Sequence, residues 1–278
     1  MITDLTRTFT VDEATLAWDR WGPTDGTPLF LSHGFSGSSH DFALLVDTLA
    51  ATRQVVSVDH RGHGRSQKLG ATERYSIDRL TADLIALLEA EVRTPVDLLG
   101  HSMGGAMSLR VTLARPDLVR SLILMDTSAW SFVPPDAGIA AMMAGFIDSF
   151  DPAGGLPDLS MWNGPEESLI AAATSAEWQS IKAQMAAAFD PFALKGLGGE
   201  LFRPGTLSVR DRLTEISCPV TVIVGEHDHP FVDQAAALAD EVADGALVVI
   251  DGGYHSPQLT HPAEWVAAVS AHLARASR

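Results

Sequence analysis

Two kinds of hydrophobic pattern alternate along this chain. In the first, short apolar runs rich in β-branched residues are bounded by glycine, proline, asparagine or aspartate, the signature of a strand. Such runs occupy residues 6–11, 16–21, 28–32, 54–58, 96–99, 122–125, 220–224 and 246–250. In the second, apolar positions recur every three or four residues, as on one face of a helix, over 77–90, 106–114 and 234–242. Strands that are apolar on both faces, separated by helices, predict a mostly parallel eight-stranded sheet covered on both sides. A last helix is announced near the end of the chain, with Thr260 as its expected cap, Pro262 in its first turn and Glu264 complementing its dipole.

The alternation fails between residues 129 and 205. Pro134, Pro135, Pro152, Pro157, Pro165, Pro191 and Pro204 punctuate alanine-rich helical pieces there, and no segment has a strand pattern. The expected organisation is therefore an α/β core built from 1–128 and 206–278, with 129–205 inserted as a helical cap. The insertion holds three of six tryptophans, six of eleven phenylalanines and four of eight methionines, an apolar content suited to roofing a cavity and equally to ordinary helix packing.

Composition narrows the class of partner. A formal charge of −16, from 19 basic against 35 acidic residues, repels a phosphate backbone, so nucleic acid is not an expected partner. The longest nearly uncharged apolar stretch, 138–147, is about half of what a bilayer span requires, and the first ten residues lack the apolar centre of a secretory signal. A lone Cys218 excludes an internal disulfide, suits a reducing cytoplasm, and reads as a buried structural thiol beside Pro219. The charge and length leave homo-oligomerisation open.

The chemistry concentrates at a few loops. Gly100-His101-Ser102-Met103-Gly104 fits G-x-S-x-G and lies between an apolar strand and a helix, the context a nucleophile elbow requires. A serine nucleophile needs a base and the base an orienting acid. His255 follows the last strand in Gly252-Gly253-Tyr254-His255, at the sheet edge where Ser102 emerges; its rival, His261, reads better as the start of the last helix. Asp228 follows the strand at 220–224 and gives the order Ser, Asp, His; Asp126, after 122–125, is the alternative acid. Neither Asp59, His60 and His63 nor His227, Asp228 and His229 has a familiar metallohydrolase spacing, so neither metal nor cofactor is expected. Arg61, Arg65 and Ser66 are expected to brace a turn, and His33 and His101 to pack or hydrogen-bond beside the site.

Taken together with His33-Gly34-Phe35, Asp59-His60-Arg61-Gly62-His63-Gly64-Arg65-Ser66 and Gly225-Glu226-His227-Asp228, these strings make nearly the whole chain resemble the α/β-hydrolase fold superfamily. Within it, the likeness is to the capped branch of small bacterial esterases, lactonases and carbon–carbon bond hydrolases. That resemblance implies an oxyanion hole from the backbone N–H groups of Phe35 and Met103, a role that calls for fixed donors aimed at developing negative charge. The carbon–carbon hydrolases usually carry asparagine before the nucleophile and tryptophan after the catalytic histidine, where this chain has His101 and Ser256.

The expected activity is cofactor-free hydrolysis of a small, neutral and fairly apolar carboxylic ester or lactone through an acyl-enzyme on Ser102. Carbon–carbon bond hydrolysis, perhydrolysis or acyl transfer on the same triad, and a hydrolase-shaped binding protein with little turnover, are the alternatives. Against nine acids, the cap region carries only Lys182, Lys195 and Arg203 as bases, a weak lure for carboxylates, with Arg203 the expected clamp if the substrate is anionic.

Overall fold

The computed structural model describes residues 5–158 and 164–277. The strands are β1 (Arg7–Val11), β2 (Ala14–Trp21), β3 (Leu29–Ser32), β4 (Val55–Val58), β5 (Val96–His101), β6 (Val119–Met125), β7 (Val220–Gly225) and β8 (Gly245–Ile250). They form one sheet in the order β1-β2-β4-β3-β5-β6-β7-β8. The β1–β2 and β2–β4 pairs are antiparallel, and every pairing from β4 to β8 is parallel. Every strand expected from the pattern is present, with ends displaced by a few residues.

Uninterrupted apolar strands serve two cores at once because successive side chains point to opposite faces. On one face Phe30, Leu98, Leu122, Leu124, Val220, Val222 and Val224 meet α2 (Ile77–Leu87), α3 (Met103–Ala114) and α8 (Phe231–Asp240). On the other, Leu29, Leu31, Leu99, Ile123, Met125 and Ile223 meet α1 (Val46–Ala50) and α10 (Pro262–Arg275), where Trp265 is fully buried. A register slip of one residue would exchange the two sets.

The start of α10 differs from expectation. Thr260 closes a separate short turn, α9 (Pro257–Thr260), and the residue flanking α10 is His261, which makes no side-chain cap bond. Pro262 is the cause, since a residue before proline is pushed out of the helical region, and His261 sits at φ −132°, ψ 56°.

Between β6 and β7 the chain runs through α4 (Ala137–Ser149), α5 (Pro165–Ala173), α6 (Ala176–Ala187) and α7 (Pro191–Leu201), with no strand among the described residues. Asp136, Ser175 and Asp190 cap α4, α6 and α7 through their side chains, and Pro165 and Pro191 open α5 and α7 where a missing N–H costs nothing. Asp190 also ties the segment to the rest of the protein: its Oδ2 accepts from Tyr75 Oη at 2.5 Å and from the Leu69 and Gly70 amides at 3.0 Å each. Of the apolar content expected to roof a cavity, Trp178 and Phe189 are buried, Ile139 and Met142 on α4 are exposed, and Met161 and Trp162 lie outside the described residues.

The strand order reverses between β3 and β5, with β4 on one side of β3 and β5 on the other. In open parallel sheets the crevice at the carboxyl ends of such strands is where ligands bind. The loops after β3, β5, β6, β7 and β8 all open on that edge.

Candidate active site

Ser102 stands at the turn from β5 into α3 with φ 53° and ψ −117°, a conformation a side chain enters only under strain. The surroundings over-determine it. Its N–H donates to the Met125 carbonyl at 2.9 Å, and its carbonyl accepts from Gly105 N at 2.8 Å and Thr127 Oγ1 at 2.7 Å. Two glycines permit the turn: a Cβ on Gly100 would strike the Gly104 carbonyl, and a Cβ on Gly104 the Ser32 carbonyl. That second approach seats the start of α3 against the end of β3. It leaves the Gly34 loop beside Ser102, where a Cβ built on Gly34 would lie 3.2 Å from Ser102 Cβ.

The loop after β3 is held from beneath and from above. His33, fully buried, donates from Nδ1 to the Gly34 carbonyl at 2.8 Å and accepts from the His60 N–H at 3.0 Å. Its burial lowers its pKa, as it lowers those of His60 and His63 far more, so the three rings are neutral packing and hydrogen-bonding groups. Phe35 packs edge-on against Phe189 and Phe202, with ring centroids 5.4 and 5.5 Å apart. Met103 opens α3 and is fully buried.

His255 Nδ1 donates to Asp228 Oδ2 at 2.9 Å, which leaves Nε2 as the basic nitrogen. The two residues come from different loops, after β8 and after β7, stitched together by the His227 N–H on the Gly253 carbonyl at 2.8 Å. Phe231 stacks on the His255 ring at 5.3 Å. His101 Nε2 donates to the His255 carbonyl at 2.8 Å, and burial with the neighbouring His255 pushes its own pKa down to about 3. Burial disfavours a charged His255, but the Asp228 and Glu166 carboxylates outweigh it and hold the imidazole above its ordinary value.

Asp126, with φ 47° at the end of β6, is fully buried and accepts the Gly225 N–H on Oδ1 at 2.8 Å. Burial and the adjoining Asp228 charge raise its pKa well above the carboxylate range. It thus neighbours Asp228, while the bond to the imidazole belongs to Asp228. His261 is engaged with Thr260 at 2.9 Å.

Ser102 and His255 line one cavity of about 700 Å³, whose other walls come from the Gly34–Gly37 loop and from α5 and α6. Three charged groups there were legible in the sequence only as members of a charge count. Lys182 of α6 pairs with the buried Asp41, whose carboxyl stays below its usual range despite burial. Glu166 and Glu167, in the first turn of α5, also face the cavity. Arg203, the expected clamp, is instead paired with Asp148 and is not part of the cavity wall. Arg61 is locked to Asp83 by two bonds of 2.5 Å, and Ser66 accepts the Ala17 N–H at 2.8 Å, bracing roles in keeping with the sequence. Cys218 is half-buried with its thiol raised to about 11 by desolvation, in keeping with an inert thiol. Among the described residues no group of three or more histidine, cysteine or acidic side chains is arranged to hold a metal ion, and no helix is long and apolar enough to cross a membrane.

The model of the α/β-hydrolase fold family matches residues 27–262, and the chain belongs to that family. It is 28% identical over 255 residues to RutD of Rhizobium rhizogenes, a protein named as a carbamate hydrolase, covering 87% of this chain and 90% of that one. A shorter match, 42% over 113 residues, links 41% of this chain to 30% of the acetyltransferase component of the acetoin cleaving system of Pseudomonas putida. Among solved structures, a Pseudomonas aeruginosa hydrolase superposes with a TM-score of 0.78 at 25% identity, covering 96% of this chain and 97% of its own. Est816, described as an N-acyl homoserine lactone degrading enzyme, superposes with 0.72 at 25% identity, covering 95% and 99%.

Proposed function

We propose that this hydrolase-family protein is a cofactor-free serine hydrolase of small carboxylic esters or lactones. The observation that carries the reading is the strained Ser102 turn opening into the same cavity as a histidine whose Nδ1 is bonded to Asp228. In this mechanism His255 Nε2 takes the Ser102 proton as the oxygen attacks the acyl carbon. The tetrahedral oxyanion rests on the Phe35 and Met103 amides, the protonated imidazole returns its proton to the departing alkoxide, and water then releases the acyl group by the same route. Asp228 keeps the imidazole in the productive tautomer. Residues 129–205 act as the cap, contributing α5 and α6 to the cavity wall.

A neutral substrate is favoured because the only cation on the cavity wall among the described residues, Lys182, is already neutralised by Asp41, while Glu166 and Glu167 add negative charge. The names of RutD and Est816 place carbamate and lactone cleavage among related proteins, in line with acyl chemistry on small molecules.

A fluorophosphonate probe should label Ser102 alone. Ser102→Ala should abolish labelling and lower kcat on a chromogenic ester by roughly 10³ to 10⁶. Matched neutral and carboxylate-bearing esters, compared by kcat/KM, should favour the neutral one. Labelling at another residue, or ester turnover that survives Ser102→Ala, would refute the reading.

A further inference from the structure

One charged contact between α5 and the site is made by Glu166. It sits in the first turn of α5 and its Oε1 accepts the backbone N–H of Ser256, the residue after His255, at 2.5 Å. The carboxylate faces the same cavity as Ser102 and His255. It is partly buried, and no basic side chain among the described residues pairs with it. Its electrostatic neighbours are His255, Asp228 and Glu167.

Such a placement is costly unless the carboxylate answers a positive charge. Burial and the two acids disfavour the ionised form and hold its pKa above the ordinary glutamate value, while the His255 ring and the Ser256 amide favour ionisation. The His255 ring acquires its positive charge during acyl transfer. His101 beside it is kept neutral by burial, and burial with the Asp228 charge raises the pKa of Asp126 well above its ordinary value. Among the described residues, then, the anionic groups facing His255 are Asp228 on its Nδ1 side and Glu166 from α5.

We propose that Glu166 is a positioning residue for His255: a carboxylate carried on α5 that orders the His255–Ser256 backbone and stabilises the imidazolium in the closed site. The inference rests on the assignment of Ser102 and His255 as nucleophile and base. It makes full basicity of His255 depend on α5 being seated against the His255 loop, because the field of Glu166 falls away with distance and with access of water. Asp228 supplies the tautomer; Glu166 supplies additional negative potential.

The experiment is the pH dependence of kcat/KM on a neutral chromogenic ester for the wild type, Glu166→Gln and Glu177→Gln. Glutamine keeps an oxygen for the Ser256 amide and removes the charge, and Glu177 is an exposed acid in the first turn of α6. In Glu166→Gln the acidic limb should move to lower pH by about 1 unit or somewhat less, since the charge is only partly shielded from water. Glu177→Gln should leave the limb in place. An unmoved or upward-moving limb in Glu166→Gln, or an equal shift in Glu177→Gln, would overturn the proposal. A second measurement is free of turnover: NMR titration of the His255 ring in Ser102→Ala, with and without Glu166→Gln, should give the same downward shift, and no shift would overturn it. If wild-type turnover proved independent of Ser102, the underlying reading would fall instead, a result separate from either outcome for Glu166.

Discussion

Ser102 lies at φ 53°, in a region that a residue bearing a Cβ occupies at a cost of about 1 to 3 kcal/mol, and the bonds to Met125 and Thr127 hold it there. The G-x-S-x-G string marks this turn because only small flanking residues let α3 and β3 close on it. The sequence favoured Asp228 over Asp126 by the place of its loop after the strand at 220–224, without showing what either carboxyl bonds. Both Asp126 and Asp228 end parallel strands at the same edge, and sequence position cannot tell a carboxyl bonded to an imidazole from one bonded to an amide. The three-dimensional environment separates them: Asp228 accepts from His255, whereas Asp126 is buried beside it and accepts the Gly225 amide. Asp126 accepts the Gly225 amide and makes no bond to the imidazole, so Asp126→Asn should keep kcat within about tenfold. Asp228→Asn should lower it by about 10⁴, since the amide favours the wrong tautomer. Steady-state kinetics on one ester decides the ranking, and a larger loss from Asp126→Asn would move the orienting role to that residue.

Elements carry the next level of organisation. The inner strands of the parallel half, β3 to β7, are covered by helices on both faces, while edge strand β8 exposes Leu247 and Val249, and near-continuous apolar runs made the strands easy to find and their partners hard to order. Nothing in residues 54–58 or 96–99 says that β4 and β5 flank β3 on opposite sides. The segment between β6 and β7 was recognisable from its prolines and its lack of strands, but its contacts were not. Arg203 looked like the basic group for a substrate, whereas the cation that reaches the cavity is Lys182, and it is held by Asp41 of the loop after β3. That ion pair joins α6 to the loop proposed to carry the oxyanion hole. Lys182→Met would leave Asp41, only 6% exposed in its side chain, without its cation. Because Lys182 is itself partly in solvent, the loss should be about 1 to 3 kcal/mol, below the range of a fully buried pair. Urea unfolding of Lys182→Met, Asp41→Asn and the double variant tests it: the double variant should recover part of the single loss, and strict additivity would show that the pair contributes nothing as a pair.

At the scale of the whole molecule, six histidines, His33, His40, His60, His63, His101 and His272, have pKa values lowered by burial, while His255 alone is raised. A histidine that is harder to protonate when folded than when unfolded costs nothing above the unfolded value of about 6.5 and destabilises the fold as pH drops beneath it. Each contributes a slope of up to about 1.4 kcal/mol per pH unit until its folded pKa is reached; His255 acts in the opposite sense. The free energy of unfolding should therefore decline steeply below about pH 6.5, before the carboxylates titrate, and chemical denaturation at a series of pH values would reveal it. A flat profile down to about pH 5 would mean that these rings are protonated in the folded protein. Local pattern by itself marked the eight strands, the lack of strands among the described residues between β6 and β7, and the sharp turn at Ser102, because strand faces and glycine-flanked turns are written in residues near one another. Tertiary structure alone decided the strand order, which acid meets His255, that Lys182 is spent on Asp41, and that Glu166 reaches the His255 loop. Each of those depends on side chains far apart in sequence meeting in a buried space, where burial and neighbouring charge, and not residue type, set what a group can do.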